Sequence, residues 1–120
     1  MYLKRKIDEY LLEWKKNEER LPLIIKGARQ IGKTESINHF AKQNYGNIVS
    51  INFVLEPKYK MILSDGYAVE DIIKNISMLD TSKKFIAEDT LIIFDELQEF
   101  PDIATALKSF KIDGRFDVIC

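Results

Sequence analysis

The chain has 120 residues, which is enough for one domain with one hydrophobic core. Hydrophobic residues make up 46% and charged residues 31%, a balance typical of a soluble globular protein and not of a disordered chain. The formal net charge of -1 provides no overall basic field that would attract nucleic acid or an acidic membrane surface. The sequence has no apolar run near the roughly 18 residues of a membrane helix, and its charged start, MYLKRKIDEY, is not a secretory signal.

The first half of the chain alternates predicted helices with predicted strands. Apolar residues at helical spacing predict an amphipathic helix over residues 3–18. The apolar run LPLIIKG, residues 21–27, suits a strand buried on both faces. A second helix is predicted over about 33–43, and the β-branched run NIVSINF, residues 47–53, predicts a second strand.

The second half continues the alternation. The run TLIIFDE, residues 90–96, predicts a third strand that ends in two acids, and FDVIC, residues 116–120, predicts the start of a fourth. Pro101 suits the first turn of the helix before that fourth strand. The helices predicted in this half cover residues 57–64, 69–79 and 100–110. Alternating strands and helices favour an α/β fold with a mostly parallel sheet.

The segment GARQIGKT, residues 27–34, has the spacing of a Walker A phosphate-binding loop. Such a loop needs backbone N–H groups that converge on an anion and a following helix whose N-terminus points at it. Here the loop leaves an apolar strand and enters a predicted helix at Lys33, with Thr34 as the hydroxyl that reaches magnesium. An accidental glycine-containing turn is the alternative interpretation.

The run LIIFDE supplies the carboxylates that a nucleotide site needs beside its magnesium ion. Asp95 is expected to hold the metal through its water shell, and Glu96 to polarise the attacking water as a general base. Acids also end strands at protein surfaces without any function, but the two motifs together, in this order, favour a nucleotide site. A glutamate directly after the metal aspartate indicates hydrolysis, since no acceptor pocket of a small-metabolite kinase is evident.

The runs LIIKGARQIGKT, LIIFDELQEFP and LKSFKIDGRFDVIC resemble the AAA-type ATPase domain of prokaryotic ATP-binding proteins, which typically carry a C-terminal domain of unknown function. The resemblance covers nearly all 120 residues, so one AAA-type domain is expected over residues 1–120. It implies a P-loop NTPase three-layer sandwich with strand order 2-3-4-1, with ATP and Mg²⁺ as cofactors.

The resemblance also assigns site residues. Lys33 and Glu96 match catalytic positions, and Thr34 and Asp95 match metal-associated positions. Arg29 lies inside the loop, where family members often have arginine. We expect it to contact a phosphate or to form an ordinary ion pair. The residues expected to bind the nucleotide are Gly27, Ala28, Arg29, Gln30, Ile31, Gly32, Lys33, Thr34 and Glu35.

The chain departs from the resembling family in its length. Family members run to several hundred residues, and the strand begun by residues 116–120 usually ends in a polar sensor residue that faces the γ-phosphate. The chain stops before that sensor, a fifth strand and any arginine finger. We therefore expect an N-terminal fragment whose partner domain lies beyond residue 120.

The leading functional hypothesis is ATP binding and hydrolysis that drives a conformational switch in a partner domain. The alternative is an ATP-sensing interaction module with negligible turnover. Direct nucleic-acid binding through the KRK and WKK clusters is a third hypothesis. These clusters are interpreted as a solvated helix face, because Glu13, Glu18 and Glu19 lie among them. Homo-oligomerisation stays open.

The single cysteine and single histidine limit other chemistry. Cys120 cannot form an internal disulfide, which fits a cytoplasmic protein. His39 lies on a predicted helix and is interpreted as a surface or helix-packing residue, because one histidine provides little for a metal site.

Overall fold

The computed structural model describes residues 6–25 and 33–120, with the backbone alone for Lys33 and Thr34. Its helices are α1 (Lys6–Lys16), α2 (Lys33–Asn44), α3 (Val69–Leu79) and α4 (Ile103–Asp113). Its strands are β1 (Asn47–Asn52), β2 (Thr90–Asp95) and β3 (Asp117–Ile119), and short 3₁₀ turns cover Pro57–Met61 and Leu97–Glu99. Strands alternate with helices, so the chain has an α/β fold.

The three strands form a parallel sheet in the order β1-β2-β3. Asn47 pairs with Thr90 and the register runs without a bulge to Asn52 and Asp95. Beside β3, a single parallel bridge joins Leu23 to Ile119. Backbone hydrogen bonds extend this pairing, because the Leu23 N–H donates to the Val118 carbonyl at 2.8 Å and the Ile25 N–H donates to the Cys120 carbonyl at 3.0 Å.

Helices α3 and α4 cover one face of the sheet. The strand residues that point to this face are apolar and buried: Val49, Ile51, Ile92, Phe94 and Val118. The helices contribute Ile72, Ile76, Ile103 and Phe110. The rings of Phe94 and Phe53 stack with centroids 5.8 Å apart, and Phe110 meets Phe94 edge-on at 6.2 Å. This packed layer holds β2 at the centre of the fold.

Helices α1 and α2 cover the opposite face. Ile37, Phe40 and Ala41, which lie on one side of α2, pack with Leu11 of α1 against the alternate side chains of the sheet. Those side chains are Leu91, Ile93 and Ile119. Ile48 of β1 is 38% exposed and Ser50 is exposed, so these helices cover β2 and β3 more fully than the edge strand.

Several predicted elements agree closely with the structure. Helix α3 has the predicted bounds, and α2 is one residue longer than predicted. The predicted helix over 3–18 ends at Lys16, because the chain turns where the Arg20 N–H donates to the Asn17 carbonyl. The start of that prediction, residues 3–5, lies outside the described residues.

The strand predicted over 21–27 pairs with β3 in its described part, through the bridge at Leu23 and the backbone hydrogen bonds of Leu23 and Ile25, and residues 26–27 lie outside the described residues. Other predictions were wrong in detail. The helix predicted over 57–64 is a 3₁₀ turn, because its backbone bonds span three residues, as from the Ile62 N–H to the Tyr59 carbonyl. Pro101 precedes the first turn of α4, which begins at Ile103 and ends at the left-handed Gly114, with φ 75°.

Within residues 6–25 and 33–120, none of the helices has the length and apolar composition needed to cross a membrane.

Candidate functional site

The carboxyl ends of the parallel strands meet at one edge of the sheet. Asn52 ends β1 and Asp95 ends β2, and the two are register partners. Ile25 reaches the same edge beside Cys120, which follows β3. In open α/β sheets, ligands bind outside this edge, so it is the natural place for a site in this fold.

Asp95 is the exposed last residue of an otherwise buried strand. The five residues before it, Thr90 to Phe94, are all buried. Its carboxylate Oδ1 accepts a hydrogen bond from the Glu96 N–H at 3.0 Å, and its carbonyl accepts one from the Phe53 N–H at 3.2 Å. The backbone at the end of β2 is therefore fixed, and the carboxylate is available at the sheet edge.

Glu96 follows in the left-handed backbone region, with φ 60° and ψ 48°. This conformation is uncommon for a residue with a side chain, and such residues cluster at functional sites. The Nε2 of Gln98 donates a hydrogen bond to Oε2 of Glu96. The prediction that Glu96 belongs to the strand was wrong, since β2 ends at Asp95 and the chain turns sharply at Glu96.

Asn52 shapes the neighbouring loop. Its Oδ1 accepts hydrogen bonds from the N–H groups of Val54 at 2.9 Å and Leu55 at 3.0 Å, and its carbonyl accepts one from the Glu56 N–H at 2.8 Å. These bonds form a tight turn directly after β1. The turn lies beside Asp95, so it borders the candidate site.

A family model described as an AAA domain matches residues 19–120. The chain belongs to the AAA domain family. No curated protein and no solved structure matches the chain significantly. AAA domains are associated with nucleotide binding on a P-loop fold, and the α/β architecture with its parallel sheet is consistent with that fold.

The predicted site residues of this AAA domain divide into three groups. Asp95 and Glu96 lie at the carboxyl edge of the sheet, since Asp95 ends β2 and Glu96 follows it. Lys33 and Thr34 begin α2, and Glu35 is exposed in its first turn. The loop residues Gly27, Ala28, Arg29, Gln30, Ile31 and Gly32 lie outside the described residues. The meeting of the loop with the two acids therefore stays a prediction.

A magnesium ion fits the donors available at this edge. Magnesium is bound by one or two carboxylates together with substrate phosphates, and it retains several waters. The exposed Asp95 carboxylate is a hard oxygen donor of that kind. Among the described side chains there is no group of three or more His, Cys, Asp or Glu residues that would hold a metal by itself.

Gln98 and Asn52 were missed as site residues in the sequence. Gln98 stands inside the run DELQ, two residues after Glu96, so its proximity to the catalytic candidate was visible. Asn52 is the polar end of an apolar strand, which is the same signal that identified Asp95. Both residues lie at the carboxyl edge because the strands that precede them run parallel.

A cavity of about 320 Å³ lies at the opposite, amino edge of the sheet. Trp14, Arg20, Thr90 and Asp117 contribute to its lining, and the last two begin β2 and β3. Arg20 and Asp117 form an ion pair with each other. Since Asp95 and Glu96 are at the other end of β2, this cavity is separate from the candidate nucleotide site.

Proposed function

We propose that this AAA domain binds ATP with Mg²⁺ through residues 27–34 and hydrolyses it with Glu96 as the general base. The observation that carries the proposal is the position of Asp95 and Glu96 at the carboxyl end of the buried β2. Ile25 reaches that same edge, and α2 begins eight residues later at Lys33. A loop between a strand end and a helix N-terminus suits phosphate binding.

The roles of the individual groups follow from their chemistry. Backbone N–H groups of the loop bind the phosphates, and Lys33 neutralises the charge on the outer ones. The Thr34 hydroxyl and the Asp95 carboxylate would hold a magnesium ion, which would neutralise charge on the phosphates. The loop residues Gly27 and Gly32 permit the tight turns that this binding requires.

Glu96 is the residue that separates hydrolysis from simple binding. A carboxylate beside the γ-phosphate accepts a proton from the attacking water. The sharp turn at Glu96 projects its side chain from the end of β2, next to the metal-binding Asp95. This adjacency supports an ATPase, in which one acid serves the metal and the next serves the water.

The role of the reaction in the whole protein is a further part of this proposal. By the family resemblance, ATP binding and hydrolysis drive a conformational change that passes to a domain beyond residue 120. We place this cycle in the cytoplasm. We propose no nucleic-acid partner, because the formal net charge is -1.

Glu96→Gln in the full-length protein tests the catalytic assignment. The amide preserves the shape of the side chain but cannot take a proton from water, so ATP binding is retained while phosphate release falls about 10² to 10⁴-fold. Glu99→Gln, an exposed residue three positions along, is the matched control and keeps the wild-type rate. Wild-type turnover in Glu96→Gln would refute the assignment. A wild-type protein that binds ATP without turnover would identify the ATP-sensing module instead.

A further inference from the structure

Two apolar side chains anchor the turn that follows β2 to the hydrophobic core. Leu97 packs against the core between the sheet and helices α3 and α4. Phe100 packs against the same core, with its ring centroid 5.1 Å from that of Phe53. Because the residues at both ends of the 3₁₀ turn are held by the core, the backbone between them has little freedom.

Backbone hydrogen bonds fix the turn further. The Glu99 N–H donates to the Glu96 carbonyl at 3.0 Å, and the Phe100 N–H donates to the Leu97 carbonyl at 2.9 Å. With Leu97 and Phe100 directed to the core, Gln98 is exposed and Glu96 is partly exposed. The left-handed conformation of Glu96 places its side chain within hydrogen-bond reach of Gln98.

We propose that Gln98 is a positioning residue for Glu96, because its side-chain amide holds one oxygen of the carboxylate on which water activation depends. This inference rests on the proposed ATPase function and concerns the same site. A glutamate side chain near the surface has several rotatable bonds, and ordering it costs conformational entropy. The hydrogen bond from Gln98 orders part of the Glu96 side chain before the nucleotide binds.

The effect of removing Gln98 follows from this role. A general base must lie within hydrogen-bond reach of the water that it activates, and small misplacements cost large factors in rate. Gln98→Met keeps the length of the side chain and removes the donor. We expect kcat to fall about tenfold to a hundredfold, while KM and the dissociation constant for ATP stay unchanged.

Gln98→Glu provides a second variant of matched size. It removes the donor and places a like charge beside Glu96, so kcat falls at least as far as in Gln98→Met. Glu99→Gln on the same turn is the control, and it retains wild-type kcat. Thermal unfolding of every variant is measured in parallel, because a turn that is merely destabilised changes the unfolding temperature without a selective loss of kcat.

A double-mutant cycle shows whether Gln98 acts through Glu96. Gln98→Met is combined with Glu96→Gln in the full-length protein, and the residual phosphate release is compared with that of Glu96→Gln alone. We expect no further loss, because the group that Gln98 positions is already inactive. An additive loss, or a wild-type kcat in Gln98→Met alone, overturns the inference. If Glu96→Gln itself hydrolyses ATP at the wild-type rate, the proposed function fails together with this inference.

Discussion

Arg20 holds Asp117 through two hydrogen bonds of 2.8 Å, from Nε to Oδ1 and from Nη2 to Oδ2. The Tyr45 hydroxyl donates to the same Oδ2 at 2.6 Å. Asp117 begins β3, Tyr45 follows α2 and Arg20 follows the turn after α1. One carboxylate therefore joins the segments that follow both helices of this face to the start of a strand.

Removal of this carboxylate is expected to destabilise the domain. Hydrogen bonding to Asp117 raises the pKa of Arg20, and burial together with the same carboxylate raises the pKa of Tyr45. Asp117→Ala leaves a partly buried guanidinium and the hydroxyl of the buried Tyr45 without this acceptor. The free energy of unfolding measured in urea should fall by about 1–3 kcal/mol. A reduction below about 0.5 kcal/mol would show that the network contributes little.

Asp65→Ala is the control for that measurement. Asp65 forms an ion pair with Lys74 at 3.7 Å, but both side chains are at least half exposed. Exposed pairs contribute about 0–1 kcal/mol because water and salt screen them. The comparison isolates the effect of the bidentate geometry and burial at Asp117.

Lys33→Ala tests the phosphate loop. If Lys33 neutralises the outer phosphates of ATP, its loss removes a charge-assisted contact of about 1.5–3 kcal/mol, which is tenfold or more in affinity. Lys42→Ala, near the other end of α2, is the control for a general change of charge and should bind ATP as the wild type does. Isothermal calorimetry provides both dissociation constants. Unchanged affinity in a folded Lys33→Ala protein would exclude a phosphate-binding role for this lysine.

Asp95→Asn should weaken magnesium binding and leave the activation of water by Glu96 unchanged. The amide oxygen can still accept the hydrogen bond from the Glu96 N–H, so the end of β2 keeps its geometry. The loss of the negative charge weakens magnesium binding. We expect turnover to need a higher Mg²⁺ concentration than in the wild type, as measured by magnesium titrations of phosphate release. Glu99→Gln should leave the titration unaltered, and an unshifted curve for Asp95→Asn would contradict its metal role.

The regular elements were predictable because their signals are local. In α3, Val69, Ile72 and Ile76 recur at helical spacing, and all three are buried. In β2, a short apolar run ends in an acid, and the structure shows five buried positions followed by an exposed one. Periodicity and polarity at strand ends were therefore enough to place Asp95 and Glu96 at one edge.

The side-chain contacts were not predictable, because they depend on residues distant in sequence. Arg20 and Asp117 are separated by 97 positions, so no local pattern joins them. The contact between Gln98 and Glu96 is local in sequence, but it requires the left-handed backbone that the packing of Phe100 against Phe53 supports. Tertiary anchoring thus decides the geometry of a turn whose residues alone allow several conformations.

The stability of the domain should depend on pH through Asp113. Its carboxylate accepts hydrogen bonds from the Arg115 side chain and the Arg115 N–H, which lower the pKa of Asp113. Arg115 also contacts Glu70, a second acid that faces this pair. A carboxyl with a lowered pKa in the folded state contributes stability above its unfolded pKa, and this contribution disappears as the pH falls through the folded value.

Asp113→Asn should therefore flatten the acid side of the stability profile. Between about pH 5 and pH 2, the wild type loses more free energy of unfolding than the variant, because only the wild type must protonate a paired carboxylate. Parallel profiles for the wild type and Asp113→Asn would show that the pair with Arg115 makes no contribution.

Cys120 should react slowly with thiol reagents despite its place at the edge of the candidate site. Burial raises the pKa of its thiol to about 12. An ordinary cysteine has a pKa of about 8.5, so at pH 8 the thiolate fraction falls by more than about a thousandfold on folding. A more basic thiolate is also a better nucleophile, and this raises the reaction rate of each thiolate by a factor of about a few tens. The net expectation is a rate at least about tenfold lower in the native protein than in guanidinium, measured with an aromatic disulfide reagent. Equal rates in the two states would show that the thiol is open to solvent and not held in the packed layer beside β3.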